Sequence, residues 1–147
     1  MPRPHSIPGG MAEAIVVGPS LYNWSSARDN GRMSLTGFYP GKGVLVTGHT
    51  GFKGAWLCEW LVMMGARVGG FSLDIPTHPS LFEALRLQGR LRHLEGDIRS
   101  PESVASALRH FEPEIVFHLA AQSLVRKSYE SPKETFDTNV GGTVNLL

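Results

Sequence analysis

From Gly43 onward, short apolar runs alternate with stretches in which apolar residues recur at helical spacing, and this rhythm predicts the elements. Gly43–Thr47 (GVLVT) reads as a first strand. Phe52–Met64 carries Trp56, Leu57, Trp60, Leu61 and Met64 at helical spacing and predicts a helix that Gly65 ends. Arg67–Leu73 reads as a second strand, followed by a loop with Pro76 and Pro79 and a short helix around Ser80–Leu87. Leu91–Glu95 is a third strand. Ser100 caps a helix that opens with Pro101, carries Glu102 early and runs to Phe111. Glu114–Leu119 is a fourth strand, Ala120–Ser131 a loop, and Pro132 opens a last helix to Leu147.

Strand and helix alternating four times predict an α/β fold, a Rossmann-like doubly wound parallel sheet with right-handed crossovers. In the usual order, 3-2-1-4, the fourth strand is not an edge and further strands pair beside it. The expectation is therefore the first half of such a sheet, the N-terminal part of a longer enzyme. The alternative, a complete small domain, would leave a long apolar strand edge open.

Residues 1–40 differ from the rest. Pro2, Pro4, Pro8, Pro19 and Pro40 are interspersed with glycines and polar residues, and the longest apolar piece, Ala14–Val17, is too short for a signal-peptide core. We read residues 1–40 as a disordered or weakly ordered leader and 41–147 as an incomplete Rossmann-type domain. Met33 is an alternative start. Hydrophobic residues at 41% and a net charge of +1 fit a globular chain with no call for nucleic acid and no membrane span. Cys58, the single cysteine, reads as a small core residue, and the expected compartment is the cytoplasm.

Chemistry concentrates in VLVTGHTGFKGAW, Val44–Trp56. Gly48, Gly51 and Gly54 recur every third residue between the first strand and its helix. Gly48 permits a sharp turn, Gly51 lets the backbone approach a phosphate, and Gly54 lets the helix pack close to the strand. The unpaired N–H groups of the first helical turn suit a dinucleotide pyrophosphate. The spacing is G-x-x-G-x-x-G, not the standard G-x-G-x-x-G. Asp74, 23 residues after Gly51, ends the second strand, where a carboxylate accepts from both ribose hydroxyls and repels a 2′-phosphate, favouring NAD over NADP.

Five segments then fall in order: TGHTGFKG (Thr47–Gly54), LDIPTHPSLFE (Leu73–Glu83), GDIR (Gly96–Arg99), HLAAQSLVRKSYESP (His118–Pro132) and TNVGGT (Thr138–Thr143). Over residues 38–147 the chain resembles the extended short-chain dehydrogenase/reductase superfamily and its nucleotide-sugar 4,6-dehydratases. His49 and Lys53 in the glycine turn, with the Asp74 loop, look most like the CDP-glucose 4,6-dehydratases. The resemblance implies NAD as cofactor, held by Gly48, Gly51, Phe52, Lys53, Gly54, Asp74, Asp97, Ile98, Leu119, Ala120, Ala121, Gln122 and Thr138. Asp97 and Ile98 would meet the adenine, Leu119–Gln122 would line the nicotinamide ribose, and Ser123 would reach the sugar substrate. It implies a homodimer in the complete enzyme and an internal redox dehydration of CDP-glucose to CDP-4-keto-6-deoxyglucose, a precursor of surface-polysaccharide deoxysugars.

Tyr129 and Lys133 match the Tyr-x-x-x-Lys pattern of that superfamily, but the pair must lie on one helical face, and Pro132 disfavours helical geometry at Ser131. No residue is assigned as acid, base or metal ligand, and the chain by itself is expected to be inactive. His49 reads as a turn residue and His118 as a hydrogen-bonded core histidine. Another nucleotide-sugar enzyme, a 4-epimerase or GDP-mannose 4,6-dehydratase, and a non-catalytic NAD-binding fragment stay open as alternatives.

Overall fold

The computed structural model describes residues 35–147. Most of the expected leader, 1–34, lies outside the described residues. Among the described residues, α1 (Leu35–Phe38) forms one helical turn, and Tyr39 packs on the core.

Four parallel strands follow, β1 (Gly43–Thr47), β2 (Arg67–Ser72), β3 (Arg92–Glu95) and β4 (Ile115–His118), in the order β3-β2-β1-β4. This is the doubly wound order the alternation predicts. Register is continuous across the sheet: Leu45 lies opposite Gly69 and Val116, and Gly69 opposite Arg92. Every residue of β1 is buried, as expected of a central strand covered on both faces. Val44 and Val46 face one core with Ala55, Cys58, Leu61, Phe82 and Leu87. Leu45 faces the other with Phe71, Ile98, Val104, Ala107 and Phe111.

The crossover helices account for these two cores. α2 (Phe52–Met63) and α3 (Leu81–Ala84) cover the first, and α4 (Pro101–Phe111) the second. α2 ends in a Schellman turn, with Gly65 N–H bonded to Val62 O at 3.0 Å and Ala66 N–H to Leu61 O at 3.0 Å, and Gly65 at φ +79°. Ser80 and Glu83 form a capping box on α3, and Ser100 caps α4 through the Ser103 amide.

Four sequence expectations change. Trp56 and Trp60 share helical spacing with Leu61 but are 51% and 63% exposed, and α2 turns Gly54, Ala55, Cys58 and Leu61 inward instead. Small residues face the sheet because helix and strand backbones approach closely there. The loop expected over 120–131 contains α5 (Val125–Glu130), whose residues are mostly exposed and give no amphipathic signal. The last helix is not uniform: α6 (Pro132–Phe136) passes through a π turn (Asp137–Gly141) into α7 (Gly142–Leu146). The short helix expected over 80–87 also stops early, because Arg86 adopts a left-handed conformation before a 3₁₀ turn, Leu87–Gly89.

Polar residues enter the core beneath the turn after β1. His49 is fully buried, edge-on to Phe82, with ring centroids 5.2 Å apart. Burial, and secondarily the charge of His93, push its pKa down to about 4. Cys58 is buried as expected, and burial pushes its thiol up to about 12, which keeps it protonated and inert.

Two outcomes follow for stability. Leu61→Ala should destabilise the chain by ~3 kcal/mol in urea unfolding, whereas Trp60→Ala should cost less than about 1 kcal/mol. An equal loss from both would place Trp60 in the core and contradict the structure. For pH, His49 is neutral when folded and has an ordinary value near 6.5 when unfolded. The unfolded chain therefore takes the proton first. Its contribution is complete above pH 6.5 and is lost as pH falls towards 4, reaching roughly 2 kcal/mol by about pH 5. Thermal melts should show a midpoint that drops between about pH 6.5 and 5, with a shallower drop in His49→Phe. Superimposable pH profiles would refute this.

Candidate functional site

The C-terminal ends of β1, β2 and β4 converge on the glycine turn. Gly48 leaves β1 at φ +71°, and its amide donates to Phe71 O at 2.8 Å. A Cβ on Gly48 would stand 2.7 Å from Ala120 N and 2.8 Å from the Leu119 carbonyl, so two backbones touch where only glycine fits. A Cβ on Gly54 would stand 2.2 Å from Gly48 O. Gly51 differs. It is the N-cap of α2 at φ −70°, and a Cβ there would meet only Gly48 O, at 3.3 Å. No side chain caps α2, no acidic residue occupies its first turn, and Phe52 and Lys53 are exposed. No side chain therefore takes up the first-turn amides, and the helix dipole gives this end a positive potential that suits an anion.

The end of β2 is tied to this turn. Thr50 Oγ1 donates to Asp74 O at 2.5 Å, and the Thr50 amide donates to Ser72 Oγ at 3.4 Å. The Asp74 side chain is exposed beside the turn. Ser72 Oγ also bonds His49 Nδ1 at 2.8 Å, and His49 Nε2 meets His93 Nδ1 at 2.7 Å.

After β3, Asp97 and Ile98 part company. The Asp97 carboxylate holds Arg99 through Nε at 2.9 and 3.0 Å and through Nη2 at 2.6 Å, and this pairing lowers its pKa. Ile98 is buried in the second core against Gly142, and its carbonyl accepts from Asn145 Nδ2 at 3.0 Å.

After β4, Thr47 Oγ1 accepts the Leu119 and Ala120 amides at 3.1 and 3.2 Å. Its own proton is therefore directed to His118 Nδ1 at 2.7 Å, leaving His118 Nε2–H to donate to Thr143 Oγ1 at 3.1 Å. His118 is thus a neutral, doubly bonded histidine, and burial lowers its pKa in keeping with that state. Gln122 is clamped by Asn139, whose Oδ1 accepts the Gln122 amide at 2.8 Å and whose Nδ2 donates to the Gln122 carbonyl at 3.0 Å. Ala121 and Ser123 are exposed at the rim, and Thr138 is half-buried in the π turn beside Asn139.

The fold therefore brings the glycine turn together with Asp74, Leu119 and Ala120, and joins Gln122 to the π turn, while Ile98 lies within the core. Tyr129 and Lys133 sit on separate helices: α5 ends before Ser131, Tyr129 is 84% exposed, and Lys133 pairs with Asp137. Two residues that tie these segments together escape the sequence reading. His49 bonds Ser72 and His93 from inside the core, and its sign in the sequence is the facing Gly70. Asn139 lies in TNVGGT, but its partner is 17 residues away. Among the described residues no cluster of three or more side chains could hold a metal, and no helix is long and apolar enough to cross a membrane.

Comparison with known proteins agrees with this geometry. The family model described as GDP-mannose 4,6 dehydratase matches residues 45–147. CDP-glucose 4,6-dehydratase of Salmonella typhimurium is 59% identical over 110 residues, covering 75% of this chain and 31% of that protein. CDP-paratose 2-epimerase of Salmonella typhi is 32% identical over 105 residues, covering 71% and 31%. The crystal structure of Thermus thermophilus UDP-glucose 4-epimerase in complex with NAD superposes with a TM-score of 0.62 at 33% identity, covering 70% of this chain and 32% of that one. The chain spans about a third of the length of the curated relatives it matches. On its fold, its glycine turn and the match over residues 45–147, the chain belongs to the GDP-mannose 4,6 dehydratase family of nucleotide-sugar dehydratases and epimerases.

Proposed function

We propose that this chain is the NAD-binding part of a nucleotide-sugar 4,6-dehydratase that converts CDP-glucose to CDP-4-keto-6-deoxyglucose. The observation that carries the cofactor reading is the uncapped start of α2, framed by Gly48, Gly51 and Gly54 and joined through Thr50 to Asp74. The first-turn amides at Phe52 and Lys53 would hold the pyrophosphate, and Asp74 would accept the adenosine ribose hydroxyls. Asp97 would meet the adenine amine while shared with Arg99, and Ile98 would back the ring from the core. Leu119, Ala120, Ala121 and Gln122 would line the nicotinamide ribose, with Thr138 nearby and Ser123 towards the sugar. When bound, NAD supplies the acceptor and later donor of hydride for the internal redox dehydration.

The choice of CDP-glucose is supported by the 59% identity to CDP-glucose 4,6-dehydratase. A second reading, GDP-mannose 4,6-dehydratase or a 4-epimerase, draws on the family model and on the NAD-bound epimerase. The separation of Tyr129 from Lys133 supports the reading that residues 1–147 alone bind cofactor without turnover. A cytoplasmic location, a homodimeric complete enzyme and a role in surface-polysaccharide precursors belong to the same proposal.

Titration calorimetry of the 147-residue chain should detect NAD binding. Gly51→Ala is compatible with φ −70° and needs the Gly48 carbonyl, 3.3 Å from the new Cβ, to give only slightly, so the thermal midpoint should shift little. Its methyl enters the phosphate cradle, however, and should weaken NAD by more than about tenfold. Asp74→Ala should also weaken NAD, and should narrow the gap between NAD and NADP. Wild-type affinity in Gly51→Ala would remove the turn from the binding site.

A further inference from the structure

His49 sits inside the glycine turn, yet its side chain is fully buried in the core against Phe82. A Cβ on Gly70 would lie 2.2 Å from the imidazole, so β2 is cut back to glycine where the ring packs. The ring is enclosed by Gly70, Phe82 and His93 and uses both nitrogens. From His93 Nδ1 the bonds run without a break through His49 Nε2 and Nδ1 to Ser72 Oγ, then to the Thr50 amide, and from Thr50 Oγ1 to the Asp74 carbonyl. Asp74 lies exposed in the bend two residues beyond β2, where its backbone would otherwise be free to shift. A carboxylate that accepts from two vicinal hydroxyls needs placement to about 0.5 Å.

We propose that His49, braced by His93, is a positioning residue for cofactor recognition: through Ser72 and Thr50 it sets Asp74 against the adenosine ribose, and so governs selection for the ribose 2′-hydroxyl. This rests on the reading that the turn binds NAD with Asp74 at that ribose. His49 makes no contact with the ligand. It acts by limiting the positions the Asp74 backbone can adopt, so its loss should fall on ribose recognition and leave the phosphate cradle in place.

The test is calorimetry on the full chain with two ligands, NAD and its analogue lacking the adenosine 2′-hydroxyl. The unsubstituted chain should prefer NAD by roughly tenfold or more, the range expected for one good hydrogen bond to a carboxylate. His49→Phe keeps an aromatic ring against Phe82 but no hydrogen bond, and should bring the two affinities within about twofold of each other. His49→Asn retains a partner for Ser72 and should restore most of the preference. Ser72→Ala removes a single hydroxyl and carries the same expectation as His49→Phe, so it decides the question if the phenylalanine variant does not fold. An intact preference in His49→Phe or Ser72→Ala, or an equal weakening of both ligands, overturns the inference. Absence of NAD binding by the unsubstituted chain overturns the cofactor reading itself, and the inference with it.

Discussion

The direct contact between the backbone of Gly48 and that of Leu119–Ala120 is the constraint on which the rest of the site depends. Parallel strands β1 and β4 end side by side, and the turn leaving one must clear the loop leaving the other. Clearance exists only because Gly48 has no Cβ and accepts φ +71°. Thr47, the last residue of β1, then locks the junction: its hydroxyl accepts two amides of the β4 loop and donates to His118. One short segment thereby defines both the uncapped start of α2 and the floor beside it.

A second use of glycine lies one strand away. Gly69 and Gly70 are adjacent on β2 and so face opposite sides of the sheet. A Cβ on Gly69 would press on the Phe111 ring at 2.8 Å, and one on Gly70 would press on His49 at 2.2 Å. The strand gives up side chains on both faces so that an aromatic from α4 and an imidazole from the turn can seat against its backbone. Glycine in a strand interior costs stability. Here the cost is offset by packing on one face and by a buried hydrogen-bond relay on the other.

The far side of the site is organised by the irregular part of the last helix. The π turn over Asp137–Gly141 shifts the helix register and aims Asn139 at both backbone groups of Gln122. Thr143, one turn on, ties the same helix to His118. The β4 loop is therefore held from two directions, by Thr47 beneath and by Asn139 and Thr143 from the helix. Loops that carry function on rigid elements are held in this way.

By itself the sequence determined the alternation of strand and helix, the 3-2-1-4 order, both ends of β1 and α4, and the glycine turn with Asp74 beyond it. These are local signals: hydrophobic period, caps and glycine spacing act over a few residues and hardly depend on what packs against them. The tertiary structure alone decided which face of α2 is buried. Trp56 and Leu61 share the same periodicity, and only the closeness of helix to sheet selects the small residues. It also decided that 125–130 is helical, where exposure erases the amphipathic pattern, and that the last helix breaks register at Asp137. The roles of His49 and Asn139 depend on partners 44 and 17 residues away, and no reading of neighbouring residues supplies such pairings.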